Sequence, residues 1–74
     1  MWEQGKITVN GETYRYCVKH FEEGSIFGID NGRISKLDIR RNGEIVCAYE
    51  RGWDIEATDK NAKKALEFLL KKYN

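Results

Sequence analysis

The residues of this sequence best suited to chemistry are its single histidine, His20, and its two cysteines, Cys17 and Cys47. Cys17 lies three residues before His20, which raises the question of a metal site or a Cys–His nucleophile pair. Residues three apart on a strand point to opposite faces of a sheet, so these two side chains do not meet there. No further ligand has the spacing of known zinc motifs. The pattern predicts no metal, with Cys47 buried on the core face and Cys17 partly exposed on the open face.

Four carboxylates in or near loops could in principle form an acid–base pair: Glu22, Glu23, Asp30 and Asp54. Their spacing matches no catalytic arrangement. The glycine-rich stretch from Phe21 to Gly32 lacks the Lys-Ser/Thr ending of a phosphate-binding loop and is not followed by a helix, so turn geometry explains its glycines better. The sequence therefore predicts no enzyme, no cofactor and no small-molecule substrate.

Length and charge narrow the remaining classes of function. The chain has 74 residues, which predicts one small domain spanning residues 1–74. A formal net charge of +1 gives no strong indication of nucleic acid or an anionic membrane as partner. Two thiols, and no charged-then-apolar leader after Met1, lead us to expect a cytoplasmic protein. No apolar run approaches the roughly 20 residues that span a bilayer, so we expect no membrane insertion.

The first hairpin of the predicted sheet joins Trp2–Val9 to Glu12–His20 through the turn Asn10-Gly11. A two-residue loop puts one apolar set on the core face, and the ring of Tyr16 can cover the backbone that Gly5 leaves bare. The predicted core-face pairs are Ile7–Tyr14, Gly5–Tyr16 and Glu3–Val18; those of the other face are Thr8–Thr13, Lys6–Arg15 and Trp2–Lys19.

The second hairpin joins RISKLDIR to EIVCAYERGWD, and its register has two solutions. A two-residue Asn42-Gly43 loop would split the apolar residues between the faces. A three-residue loop from Arg41, with Gly43 in a left-handed bulge position, keeps them together. We favour the second, because burying one apolar face outweighs a difference between turn types. It predicts a core face bearing Leu37, Ile39, Ile45, Cys47 and Tyr49.

A loop separates the hairpins and a helix follows them. Three apolar residues of the Phe21–Gly32 loop, Ile26, Phe27 and Ile29, are expected to be pinned to the edge of the core. Thr58 is predicted as the helix N-cap with Asp59 in the first turn. The residues at helical spacing are Ala62, Ala65, Leu66, Leu69, Leu70 and Tyr73.

These elements predict an α+β fold in which a four-stranded antiparallel sheet, made of two hairpins, carries one C-terminal helix on one face (ββββα). The long middle loop leaves the order of the strands open.

One corner and one face of this fold could bind a partner. On a strand, Arg51 and Trp53 fall on the same face, close enough for stacking, while Asp54 could pair with Arg33 or Arg51. This corner either fastens the edge of the core or forms a protein-binding hot spot.

The open face combines charged and apolar side chains. Nucleic-acid binding by a sheet needs exposed aromatic rings, and only Trp2 remains on this face. A protein interface or a homodimer, burying Ile34, Val46 and Ala48, fits better. The basic residues expected there are Lys6, Arg15, Lys19, Lys36 and Arg40, and the acidic ones are Asp38, Glu44 and Glu50.

The pattern Gly24-Ser25, Gly28-Ile29, Gly32-Arg33-Ile34-Ser35-Lys36-Leu37, with Tyr49 and Arg51-Gly52-Trp53-Asp54, resembles a family of small bacterial and phage proteins classed as a domain of unknown function. Trp2, Gly5 and Lys19-His20-Phe21 are similar too, and the Arg-Gly-Trp-Asp element is the most specific part. The resemblance implies a stand-alone protein of bacterial chromosomes or mobile elements, and it supplies no catalytic residue.

The sequence thus predicts a small non-enzymatic protein-interaction module, alone or as a homodimer. The alternative is weak binding of single-stranded nucleic acid through the basic open face. The candidate interaction residues are Trp2, Arg15, Lys19, Arg33, Lys36, Arg51, Trp53 and Asp54.

Overall fold

A computed structural model describes residues 1–74 and confirms an α+β fold, in which an antiparallel sheet carries one C-terminal helix. The sheet has five strands, so the prediction of four was wrong. They follow one another in the order β1-β2-β3-β4-β5, a simple meander that answers the open question of strand order. The elements are β1 Trp2–Val9, β2 Glu12–His20, a 3-10 turn at Ile29–Asn31, β3 Ile34–Arg41, β4 Glu44–Glu50, β5 Trp53–Ile55 and α1 Lys60–Tyr73.

The first hairpin has the predicted register throughout. Asn10 and Gly11 both have positive φ, 49° and 83°, as a two-residue type I′ turn requires. The ring of Tyr16 covers Gly5 so closely that a Cβ built on the glycine would lie 2.6 Å from Tyr16 Oη. Only glycine leaves room for that ring.

The second hairpin corrects the predicted loop. Arg41 pairs with Glu44, so the turn is the two-residue Asn42-Gly43, again with positive φ at both residues. A β-bulge then shifts the register, because Arg40 pairs with Ile45 whereas Ile39 pairs with Cys47. The extra residue, Val46, restores the alternation, so the favoured turn and the buried face coexist.

The bulge changes the placement of three side chains relative to the prediction. Ile45 pairs with Arg40 and is 41% exposed, so its predicted place on the core face was wrong. Val46, expected on the open face, packs against the core. Glu44 pairs with Arg41, whose guanidinium contacts the core residue Tyr14. Because paired residues lie on the same face, Glu44 does not lie on the open face either.

A second bulge, at the junction of β2 and β3, corrects the placement of Ile34. Lys19 pairs with Lys36 but His20 pairs with Ile34, which leaves Ser35 as the extra residue. Ile34 is therefore fully buried instead of lying on the open face.

The core lies between the sheet and α1. Asp59, and not Thr58 as predicted, is the N-cap of α1, and its carboxylate accepts a hydrogen bond from the backbone N–H of Ala62 at 3.4 Å. α1 is neither long nor apolar enough to cross a membrane. The buried cluster comprises Tyr14, Tyr16, Val18, Ile29, Ile34, Leu37, Ile39, Cys47, Tyr49, Ala62, Ala65 and Leu69.

The loop between β2 and β3 follows the prediction only in part. Ile29 is 2% exposed and packs in the core, whereas Ile26 is 82% exposed and Phe27 is 49% exposed. The side chain of Asn74 fastens the loop to the end of α1, since it donates to the carbonyl of Ile29 and accepts from the N–H of Ile34, both at 3.0 Å.

Candidate interaction surfaces

The cysteines and the histidine lie apart from one another. Cys47 is fully buried, and this burial raises the pKa of its thiol to about 11, so the thiol stays protonated at neutral pH. Cys17 lies on the open face, where its sulfur accepts a long contact of 3.8 Å from Gln4 Nε2. His20 faces the other way and meets the Glu3 carboxylate at 3.2 Å. No three His, Cys, Asp or Glu side chains converge as metal ligands would.

A polar network joins the first hairpin to the start of α1. Arg41 Nη1 donates to Tyr14 Oη at 3.2 Å and to the Asp59 carboxylate at 3.1 Å. Glu12 accepts hydrogen bonds from Asn61 at 2.9 Å and Tyr14 at 3.0 Å, and these bonds hold the pKa of its carboxyl below the ordinary value of 4.5. Because every charged group in this network has a partner within the protein, we interpret the network as structural.

The first candidate surface, which we call the aromatic corner, consists of Phe27, Arg51 and Trp53 around Tyr49. Tyr49 Oη donates to the carbonyl of Phe27 at 2.8 Å, and its ring meets Trp53 edge-on with centroids 5.0 Å apart. The guanidinium of Arg51 lies over the ring of Phe27 at 5.3 Å. Trp53 remains 40% exposed and Phe27 49% exposed, so the corner presents two supported aromatic rings to solvent.

Arg51 has an unusual backbone conformation for its type. It lies between β4 and β5 with φ of 59°, and its N–H donates to the carbonyl of Ser35 at 3.1 Å. The other non-glycine residues with positive φ are asparagines or an aspartate, which tolerate this region. An arginine here costs roughly 1–2 kcal/mol relative to an ordinary conformation.

Two predicted contacts of this corner were wrong. Arg51 stacks on Phe27 and not on Trp53, because Arg51 sits in a turn and Trp53 begins β5. Asp54 forms no ion pair, and Arg33 instead donates through Nε to the carbonyl of Asn74 at 3.4 Å. Of the predicted corner residues, Arg51 and Trp53 share one site, while Asp54 borders the open face beside Lys36 and Glu50.

The second candidate surface is the open face, the side of the sheet away from α1. Cross-strand pairing lines up Lys6, Arg15 and Arg40 on three adjacent strands, and Lys19 directly opposite Lys36. Lys36 is bound by Glu50 at 3.1 Å and Arg40 by Asp38 at 3.7 Å, whereas Lys6 and Arg15 form no ion pair.

The open face also carries aromatic rings at one end. The ammonium of Lys19 lies 5.8 Å from the ring centre of Trp2 and 5.5 Å from that of Phe21. Trp2 is 53% exposed and Phe21 is 48% exposed. The face therefore holds exposed rings together with a row of cations, of which Lys6 and Arg15 form no ion pair. Its apolar residues are Trp2, Ile45, Ala48 and Ile55.

Sequence reasoning missed Phe21 and Phe27 as candidate site residues. Both lie between β2 and β3, where no alternation of apolar and polar residues indicates which face of the sheet a side chain takes. The signal in the sequence was the regular spacing of glycines, which indicates a loop that folds back on itself. In the structure, a Cβ on Gly24 or Gly28 would meet the backbone of Asn31 or Gly32. This close packing of the loop brings the carbonyl of Phe27 to the hydroxyl of Tyr49.

Comparison with known proteins identifies a family but indicates no activity. Residues 1–74 match the family model described as Domain of unknown function (DUF7678). No curated protein and no solved structure matches the chain.

Proposed function

The chain belongs to the family described as Domain of unknown function (DUF7678), and on that premise we propose that it is a non-enzymatic protein-interaction module that binds its partner at the aromatic corner. The observation that carries this proposal is Arg51, held with positive φ over the exposed ring of Phe27. Strained residues persist where the surrounding structure and a function keep them. The cytoplasmic location and the bacterial or phage origin expected from the sequence stay predictions.

The composition of the corner supports a protein partner. Tryptophan, arginine and other aromatic residues are the types most enriched at the energetic centres of protein interfaces. Tyr49 packs edge-on against the ring of Trp53 and holds the backbone of Phe27 by a hydrogen bond to its carbonyl, while Arg51 lies over the Phe27 ring. Rings that are already ordered lose little conformational entropy on binding.

Binding at the aromatic corner is better supported than the homodimer that the sequence predicted through the open face. That homodimer depended on burying Ile34, Val46 and Ala48, and two of these residues pack in or against the core. Face-to-face pairing of two copies would also bring together the two unpaired cations, Lys6 and Arg15. Self-association through the corner remains compatible with the proposal.

The experiment compares stability with partner capture in matched variants. Arg51→Gly keeps the positive φ without strain, so we expect its stability in urea to be unchanged or up to about 1 kcal/mol higher. Trp53→Ala removes one of the two rings. The measurements are urea unfolding followed by circular dichroism, sedimentation velocity for self-association, and quantitative affinity capture from the native host.

Phe68→Ala is the control, because Phe68 is an aromatic residue of α1 with a similar exposure of 46%. We expect Arg51→Gly and Trp53→Ala to lose the same captured protein, or the same self-association, that the wild type and Phe68→Ala retain. Retention by the folded Arg51→Gly and Trp53→Ala variants would refute the corner as the binding site.

A further inference from the structure

We propose that the open face binds single-stranded nucleic acid, with phosphates at the row Lys6, Arg15 and Arg40 and bases stacked on Trp2 and Phe21. This surface lies on the opposite side of the sheet from the aromatic corner, so the inference is independent of the proposed function. Its basis is the arrangement of charge and rings on one face, which the near-neutral total charge conceals.

Like charges face each other across the strands of the open face. Lys6 pairs with Arg15, Arg15 with Arg40, and Lys19 with Lys36. Like charges directly opposite destabilise an antiparallel sheet, so these pairs oppose folding. A polyanion lying across the rows removes that repulsion, because its phosphates neutralise the facing cations.

Two cations of the row on the open face, Lys6 and Arg15, form no ion pair. Arg40 and Lys36, by contrast, form ion pairs with Asp38 and Glu50. An open groove of about 650 Å³ is lined by Lys6, Arg15 and Arg40, with Asp38 as its one acidic residue. A groove with three cations and one carboxylate keeps a net positive charge, and it attracts an extended anion more strongly than isolated surface lysines do.

The aromatic rings at the other end of the open face favour nucleic acid over polyanions that have no bases. Trp2 and Phe21 flank the Lys19 ammonium, and both keep about half of their surface in solvent. Trp2 and Lys6 are four residues apart on β1, which places stacking and phosphate sites about 13 Å from each other along the strand. Stacked bases and a basic groove that follows the backbone are the two components of single-strand binding surfaces.

The test uses fluorescence anisotropy with labelled oligo-dT of about 15 nucleotides, at about 50 mM and near-physiological salt. We expect saturable binding that weakens steeply as salt rises. Arg15→Glu should weaken binding about tenfold or more and should also raise the urea midpoint, because the new carboxylate faces Lys6 and Arg40. Lys64→Glu, on the exposed side of α1, makes the same charge change and should leave binding within about twofold of wild type.

Trp2→Leu tests the stacking component, with Phe68→Leu as its control, since both remove an exposed ring. We expect Trp2→Leu to weaken oligo-dT binding about fivefold or more. No saturable binding by the folded wild type at low salt would overturn the proposal. So would equal weakening by Arg15→Glu and Lys64→Glu, or unchanged binding by Trp2→Leu. Oligoglutamate binding as tightly as oligo-dT would also overturn it, and would assign the face to an acidic protein.

Discussion

At the scale of single residues, the clearest link between charge and folding is Glu12. Its carboxylate receives hydrogen bonds from Asn61 and Tyr14, with Arg41 at 3.6 Å, and the bond from Asn61 contributes most to lowering its pKa. A carboxyl whose pKa is lower in the folded than in the unfolded state stabilises the fold fully above the unfolded pKa. This stabilisation disappears as pH falls through the folded-state pKa.

Glu12→Gln should therefore lose stability relative to wild type at pH 7, and this difference should shrink at a second pH low enough to protonate the wild-type carboxyl in the folded state. Urea unfolding at both pH values, followed by tryptophan fluorescence, measures it. Glu67→Gln, on the exposed side of α1, controls for the loss of one charge. A Glu12→Gln deficit of the same size at both pH values would contradict the account.

At the scale of elements, the two hairpins show how far sequence patterns reach. In the first, the turn residues Asn10-Gly11 and the apolar alternation agree, so the whole register could be predicted. In the second, they conflict, and the chain satisfies both with a bulge at Val46. A bulge adds one residue without a sequence signature of its own, so its position follows from the packing of the whole sheet.

The corner and the fifth strand were harder to predict for a related reason. β5 has three residues, all exposed, too few for an alternation to assign a face. Trp53 pairs with Tyr49, and this pairing depends on the turn at Arg51, whose positive φ is rare for arginine. Arg51 and Trp53 could be chosen by residue type alone, whereas the partner of Arg51, Phe27, required the folded loop.

The packing of α1 on the sheet gives a prediction at this scale. Leu69 is fully buried, whereas its neighbour Phe68 is 46% exposed. Leu69→Ala should cost about 2–5 kcal/mol of unfolding free energy, because it leaves a cavity. Phe68→Ala should cost clearly less, because Phe68 already keeps nearly half of its surface in solvent. Equal losses in urea unfolding at 25 °C would show that α1 is not packed on the sheet through Leu69.

At the scale of the whole molecule, the two thiols report opening of the fold. Cys47 is sealed between the sheet and α1, and its raised pKa keeps it protonated. Cys17 lies partly exposed on the open face. An aromatic disulfide reagent should label Cys17 rapidly and Cys47 only as fast as the protein unfolds.

Cys17→Ser should thus remove the fast phase of labelling, and Cys47→Ser the slow one. Low concentrations of urea should accelerate only the slow phase. Rapid labelling of both thiols in the native protein would mean that the core face is covered less tightly than the contacts of α1 indicate.

The meander has a consequence for the order in which the protein is made. Each strand pairs with the one synthesised just before it, so the sheet can form progressively as the chain leaves the ribosome, and contacts close in sequence favour fast folding. The helix that covers the core face, Lys60–Tyr73, follows all five strands. During synthesis, the newborn sheet therefore carries its apolar face uncovered until α1 emerges, and chaperones that shield such surfaces would act in that interval.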